Sequence, residues 1–107
     1  MTDITEIRTA YHHHESALLP QLLLCRLIYE QPRQHRAQTI ADALGISRET
    51  VKRMLADLRN MGADIHYLQS GQKRGYVLGN GDRIMPRLDR WIDLERTRDL
   101  TGSDQNA

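Results

Sequence analysis

A chain of 107 residues, 39% hydrophobic and 27% charged, has the length and balance of one folded domain with terminal extensions and too little material for a second. It holds no Phe, one Trp and four Tyr, so its core must be aliphatic, and its single cysteine, Cys25, excludes an internal disulfide. A net charge of +1 gives no whole-chain sign of a polyanionic partner, yet residues 33–83 hold nine Lys/Arg against five Asp/Glu between slightly acidic flanks, which makes any basic footprint local.

In chain order, Ile4, Ile7 and Tyr11 stand at helical spacing and predict a short helix in an N-terminal extension, residues 1–16, which ends in the polar stretch from His12 to Ser16. No basic segment followed by an apolar run opens the chain, so the expected location is cytoplasmic, nucleoid-associated. From about Leu19, a stripe of Leu19, Leu23, Leu24, Leu27 and Ile28 predicts a helix that stops before Pro32, with Pro20 tolerated in the first turn. The apolar run from Ala17 to Ile28 is interrupted by Pro20, Gln21 and Arg26 and is shorter than the roughly 20 residues a membrane span needs. It reads as a core helix, with no membrane partner.

Arg33 to Arg36 is a basic connection. Ala37 to Leu44 then places Ile40, Ala41 and Leu44 on one face and is closed by Gly45, which accepts the positive φ of a helix end. After Gly45 and Ile46, Ser47 is a good N-cap for a helix running to Asn60, with Val51, Met54, Leu55 and Leu58 on its buried stripe and Gly62 as its stop. Ile65 to Leu68 and Tyr76 to Leu78 are short β-type runs around a polar, glycine-bounded tip, the pattern of a hairpin. Residues 82–100 show Ile84, Leu88, Trp91 and Ile92 at helical spacing, before a polar tail, 101–107, expected to be disordered.

Helix, helix, three-residue turn, helix and hairpin in this order give a winged helix-turn-helix over residues 17–81: a mainly α fold with a small β-hairpin and helical extensions at both ends. At about 100° per residue from Val51, the residues Glu49, Arg53, Ala56 and Asn60 lie opposite the buried stripe, with Thr50 and Lys52 on its flanks. The N-terminal part of such a helix is the part that reaches base edges in a major groove. The expected contacts to double-stranded DNA are therefore Ser47, Arg48, Glu49, Thr50, Lys52 and Arg53. Arg53 suits guanine O6 and N7, Glu49 a cytosine amine or an internal pairing with Arg53, and Thr50 a thymine methyl or a phosphate, while Arg48 and Lys52 suit phosphates. Lys73 and Arg74 at the hairpin tip are placed for backbone or minor groove.

The run from Thr39 to Arg53, with Gly45-Ile46-Ser47-Arg48-Glu49-Thr50-Val51 at its centre, then Leu58 to Ile65 and Arg74-Gly75-Tyr76-Val77-Leu78, resembles the N-terminal winged helix-turn-helix of DeoR-type and WYL-domain regulators and of the biotin-ligase repressor. The resemblance covers about half the chain and implies a dimeric DNA-binding regulator, a repressor in the main expectation, of bacterial or phage type, with Ser47–Asn60 as its recognition helix. In these families a Ser or Thr usually caps the second helix; here Arg36 holds that place, a weaker cap but a further possible phosphate contact. The families normally continue into an effector or catalytic domain, and here a single amphipathic helix follows. A standalone regulator is expected, without small-molecule effector, cofactor or enzymatic activity.

Other constellations read as structural. His12, His13 and His14 are adjacent on a helix, point about 100° apart and cannot converge on a metal, so they read as solvated. Cys25 lies among leucines as a buried thiol, and His35 and His66 lack partners for catalysis. Gly71, Gly75, Gly79 and Gly81 are turn residues without the strand and helix context of a phosphate loop. Ile4 and Ile7 with Ile84, Leu88, Trp91 and Ile92 give more apolar helical surface than a bare winged helix uses. The expected role of Ile84, Leu88, Trp91 and Ile92 is a homodimer interface that sets two recognition helices about 34 Å apart. The competing reading is a protein-binding winged-helix adaptor or inhibitor, since fold alone does not fix function.

Overall fold

The computed structural model describes residues 1–13, 17–71 and 73–106, with side chains described as far as residue 98. His14 and Ser16, named above, lie outside the described residues. The elements run α1 (Ile4–His13), α2 (Leu18–Glu30), α3 (Ala37–Leu44), α4 (Arg48–Asn60), β1 (Ile65–Leu68), β2 (Gly75–Leu78) and α5 (Gly81–Asn106). Among the described residues, five helices with one antiparallel hairpin form a winged helix-turn-helix flanked by a helix at each end.

α2 is the hub. Leu19, Pro20, Leu22, Leu23, Leu24, Cys25, Leu27 and Ile28 are all buried, so the helix is apolar nearly all round and is enclosed by α1, α4, α5 and β2. Pro20 is its third residue, where the missing N–H would have had no intrahelical partner. α3 buries Ile40, Ala41 and Leu44 and ends at Gly45, whose φ of +70° lets the Ile46 N–H return to the Ala41 carbonyl at 3.1 Å. This is a Schellman ending, and it turns the chain sharply into α4. There the Ser47 hydroxyl accepts from the Thr50 N–H at 3.1 Å, and Val51, Met54, Leu55 and Leu58 are buried.

Arg36 begins α3 differently. Its guanidinium has no acceptor, so the capping bond at this end is the reciprocal one: the Thr39 hydroxyl accepts from the Arg36 N–H at 2.9 Å. The same hydroxyl donates to the Arg36 carbonyl at 2.9 Å.

β1 pairs with β2 from Ile65 opposite Leu78 to Leu68 opposite Gly75. The hairpin also fastens to the connection between α2 and α3: the Arg33 N–H donates to the Tyr76 carbonyl and the Tyr76 N–H to the His35 carbonyl, both at 2.9 Å. Gly75 is what permits this approach, because a Cβ there would lie 2.8 Å from the Arg33 carbonyl carbon and the His35 carbonyl oxygen. Arg33 takes φ 65°, the only non-glycine positive φ among the described residues, a conformation that costs about 1–2 kcal/mol.

The flanking helices close onto the domain. Ile7 and Ala10 of α1 and Met85, Leu88 and Ile92 of α5 join the single core. Polar ties support them: Arg26 binds Asp89 at 3.1 Å and the Thr2 hydroxyl at 2.7 Å, and Arg96 pairs with Glu6. α5 continues to Asn106, past Leu100, after which the sequence pattern places a disordered tail. No proline follows Pro86 to remove a backbone donor, and Gly102 alone costs only about 1 kcal/mol of helix propensity.

Candidate nucleic-acid interface

The first two turns of α4 present the residues expected to read DNA. Ser47, Arg48, Glu49, Lys52 and Arg53 are exposed and Thr50 is half-buried, its hydroxyl 2.8 Å from that of Ser47. The opposite stripe is anchored in the core through Val51 and Leu55, so the exposed face has a fixed direction. No ion pair or side-chain hydrogen bond to a described residue holds Arg48, Glu49, Lys52 or Arg53; the internal pairing of Glu49 with Arg53 is not formed. Four charged side chains on one short surface are thus left for a partner.

The wing stands beside this face. Tyr67 and Tyr76 meet edge to face across the hairpin, ring centres 5.2 Å apart. Burial raises the Tyr76 phenol above its ordinary range, while the positive charges of Arg59 and Arg48 pull it back. Arg59 further ties the foot of the hairpin to α4, its Nε donating to the Ile65 carbonyl at 3.0 Å.

Lys73 and Arg74 are exposed at the tip, and together with Arg36 they line an open polar cleft. Arg33, Gln34, Thr39 and Gly71 complete its walls. The structure therefore brings Arg36, Lys73 and Arg74 together on one cleft. Sequence reasoning missed Arg33, Gln34 and Thr39 here. The only signal was the run of basic residues between α2 and α3, because the contact with the wing joins segments about forty positions apart.

The expected dimer residues divide. Ile92 is fully buried and Leu88 is 6% exposed, both against α2, so these two are corrected to monomer core. Trp91 remains 38% exposed and Ile84 half-buried, with Leu94, not named from sequence, 60% exposed beside them. An amphipathic stripe records that a helix face is buried but not in which chain the covering surface lies. His12 and His13 are exposed, and His12 also has a structural contact that its neighbourhood does not announce: its Nε2 lies 2.7 Å from the Leu44 carbonyl, and donating there it serves the open C-terminus of α3.

A family model described as an HTH domain matches residues 21–77, which is α2 from its fourth residue through most of β2. No curated protein and no solved structure matches the chain.

Proposed function

The chain belongs to this HTH-domain family, and on that premise we propose that it is a sequence-specific regulator of transcription that lays α4 in the major groove of double-stranded DNA. The observation that carries the reading is the exposed, unpaired cationic surface formed by Arg48, Lys52 and Arg53 on α4, in a domain that also gathers Arg36, Lys73 and Arg74 on one cleft. Cations left without partners on a rigid helix are arranged for phosphates and base edges.

Division of labour follows from geometry. Arg53, opposite the buried stripe, reads a base pair through a bidentate contact to guanine, and Glu49, one turn earlier, accepts from a cytosine amine. Arg48, Lys52, Arg36, Lys73 and Arg74 hold phosphates and set register. Repression by occupying an operator is the simplest outcome for such a reader. A two-fold pairing through Trp91, with Leu94 and the edge of Ile84, doubles the site and gives a pseudo-palindromic operator.

Selection of bound duplex from a randomised pool at low salt tests the reading directly. A recovered consensus whose discrimination at one base pair falls by about 1–3 kcal/mol in Arg53→Ala supports it. Recovery of no duplex at low salt sinks it and leaves the protein-binding adaptor in its place. Light scattering at micromolar concentration reads the pairing separately: a monomer's mass removes the dimer and leaves the DNA contact standing.

A further inference from the structure

Arg33 is placed where no packing argument asks for an arginine. Its backbone lies in the left-handed region that glycine adopts freely, its side chain lies outside the hydrophobic core, and a glycine would suit the turn better. Such a conformation persists where the surroundings over-determine it. What holds it is the wing. Besides the backbone bond to Tyr76, the Arg33 guanidinium donates from Nη2 to the Ser70 carbonyl at 2.5 Å and from Nε to the Lys73 carbonyl at 3.2 Å. Ser70 and Lys73 lie on the two sides of the hairpin tip, so one planar side chain bridges the ends of the loop that carries Lys73 and Arg74.

We propose that Arg33 is a latch for the wing: a positioning residue that fixes the tip so that Lys73 and Arg74 converge with Arg36 on one phosphodiester of the DNA backbone. The proposal rests on the DNA-binding reading above. Two of the five guanidinium donors are engaged with tip carbonyls, and Arg33 lines the cleft, so its charge adds to the other three cations. An unlatched tip would have to be ordered at the moment of binding, and a pre-ordered one would not. Lysine cannot replace this arrangement, since a single ammonium lacks the fork that spans two carbonyls.

The test uses the full chain with Arg33→Gly and Arg33→Lys, in two independent measurements. Without DNA, limited trypsin digestion followed by mass spectrometry reads cleavage after Lys73 and Arg74; Arg33→Gly is expected to speed it about tenfold or more as the tip opens, at an unchanged or higher thermal midpoint. Arg33→Lys should also cut faster than the parent. With DNA, Arg33→Gly should weaken binding about tenfold, yet by less than about twofold in a Lys73→Ala, Arg74→Ala background, because the latch acts through those two side chains. Unchanged cleavage overturns the latch. Equal loss of affinity in both backgrounds overturns it too, and makes Arg33 a plain cation. Should the parent hold no duplex, the DNA role falls with the reading it rests on, while accelerated cleavage still assigns the latch.

Discussion

Changing salt should separate the residues that hold the backbone from those that read sequence. Arg36, Arg48, Lys52, Lys73 and Arg74 are all exposed and are assigned to phosphates. Each phosphate neutralised releases about 0.9 of a counterion, so five such contacts give a slope of about −4.5 for log K against log salt per protomer. Between about 50 and 200 mM salt, affinity should then fall roughly 500-fold. Lys73→Ala should flatten the slope by about one unit at similar loss on every sequence, whereas Arg53→Ala should keep the slope and erase the preference at one base pair. Fluorescence anisotropy of a labelled duplex and its single-position variants, titrated at several salt concentrations, reads both quantities. A parent slope shallower than about −2, or identical behaviour of the two variants, would refute the division into holders and readers.

Three further outcomes follow from burial. Ile92→Ala should cost about 2–5 kcal/mol in urea denaturation, since the residue is fully enclosed between α5 and α2; a loss under about 1 kcal/mol would place α5 off the core. Cys25, its thiol pushed up to about 12 by burial, should resist a disulfide reagent at mildly alkaline pH until the protein opens, and rapid stoichiometric labelling of the native chain would contradict this. Burial lowers the pKa of His35 below its ordinary 6.5, so the unfolded chain takes up the proton first. Stability is therefore unaffected by this group above about pH 7, falls as pH drops through 6.5, and levels off below the folded pKa. The urea midpoint of the parent should drop more than that of His35→Gln between about pH 8 and pH 5, and equal drops would remove His35 as the cause.

What could be read from the residues was what local physics decides. Gly45 and Ser47 mark the turn because a left-handed ending and a hydroxyl cap have chemical signatures, and the four buried positions of α4 follow from helical period alone. The hairpin announced itself through β-type runs on either side of a glycine-bounded tip. Contacts between distant segments left no such trace. Arg33 reaches Ser70 and Lys73 across 37 and 40 positions, and His12 reaches Leu44 across 32, through residues that look unremarkable in their own neighbourhoods. The stripe of Leu88 and Ile92 was visible as apolar, yet its partner, α2, could not be told from a second chain. A helix already bearing a full apolar stripe gives no hint that its remaining faces are covered too.

Tyr76 is bonded through both its N–H and its carbonyl to the segment between Arg33 and His35. In hydrogen-bond terms the forty or so residues that include α3, α4 and β1 form a closed ring. Sealing a ring of that length carries a chain-entropy cost of about 3 kcal/mol beyond a constant, whereas the turn between α3 and α4 closes only three residues. Folding is thus expected to assemble the helical pair early and seal the ring late, and the reverse order applies to opening. The amide of Tyr76 is the place to watch it: its hydrogen exchange should report a ring-open form in which α3 and α4 still hold together.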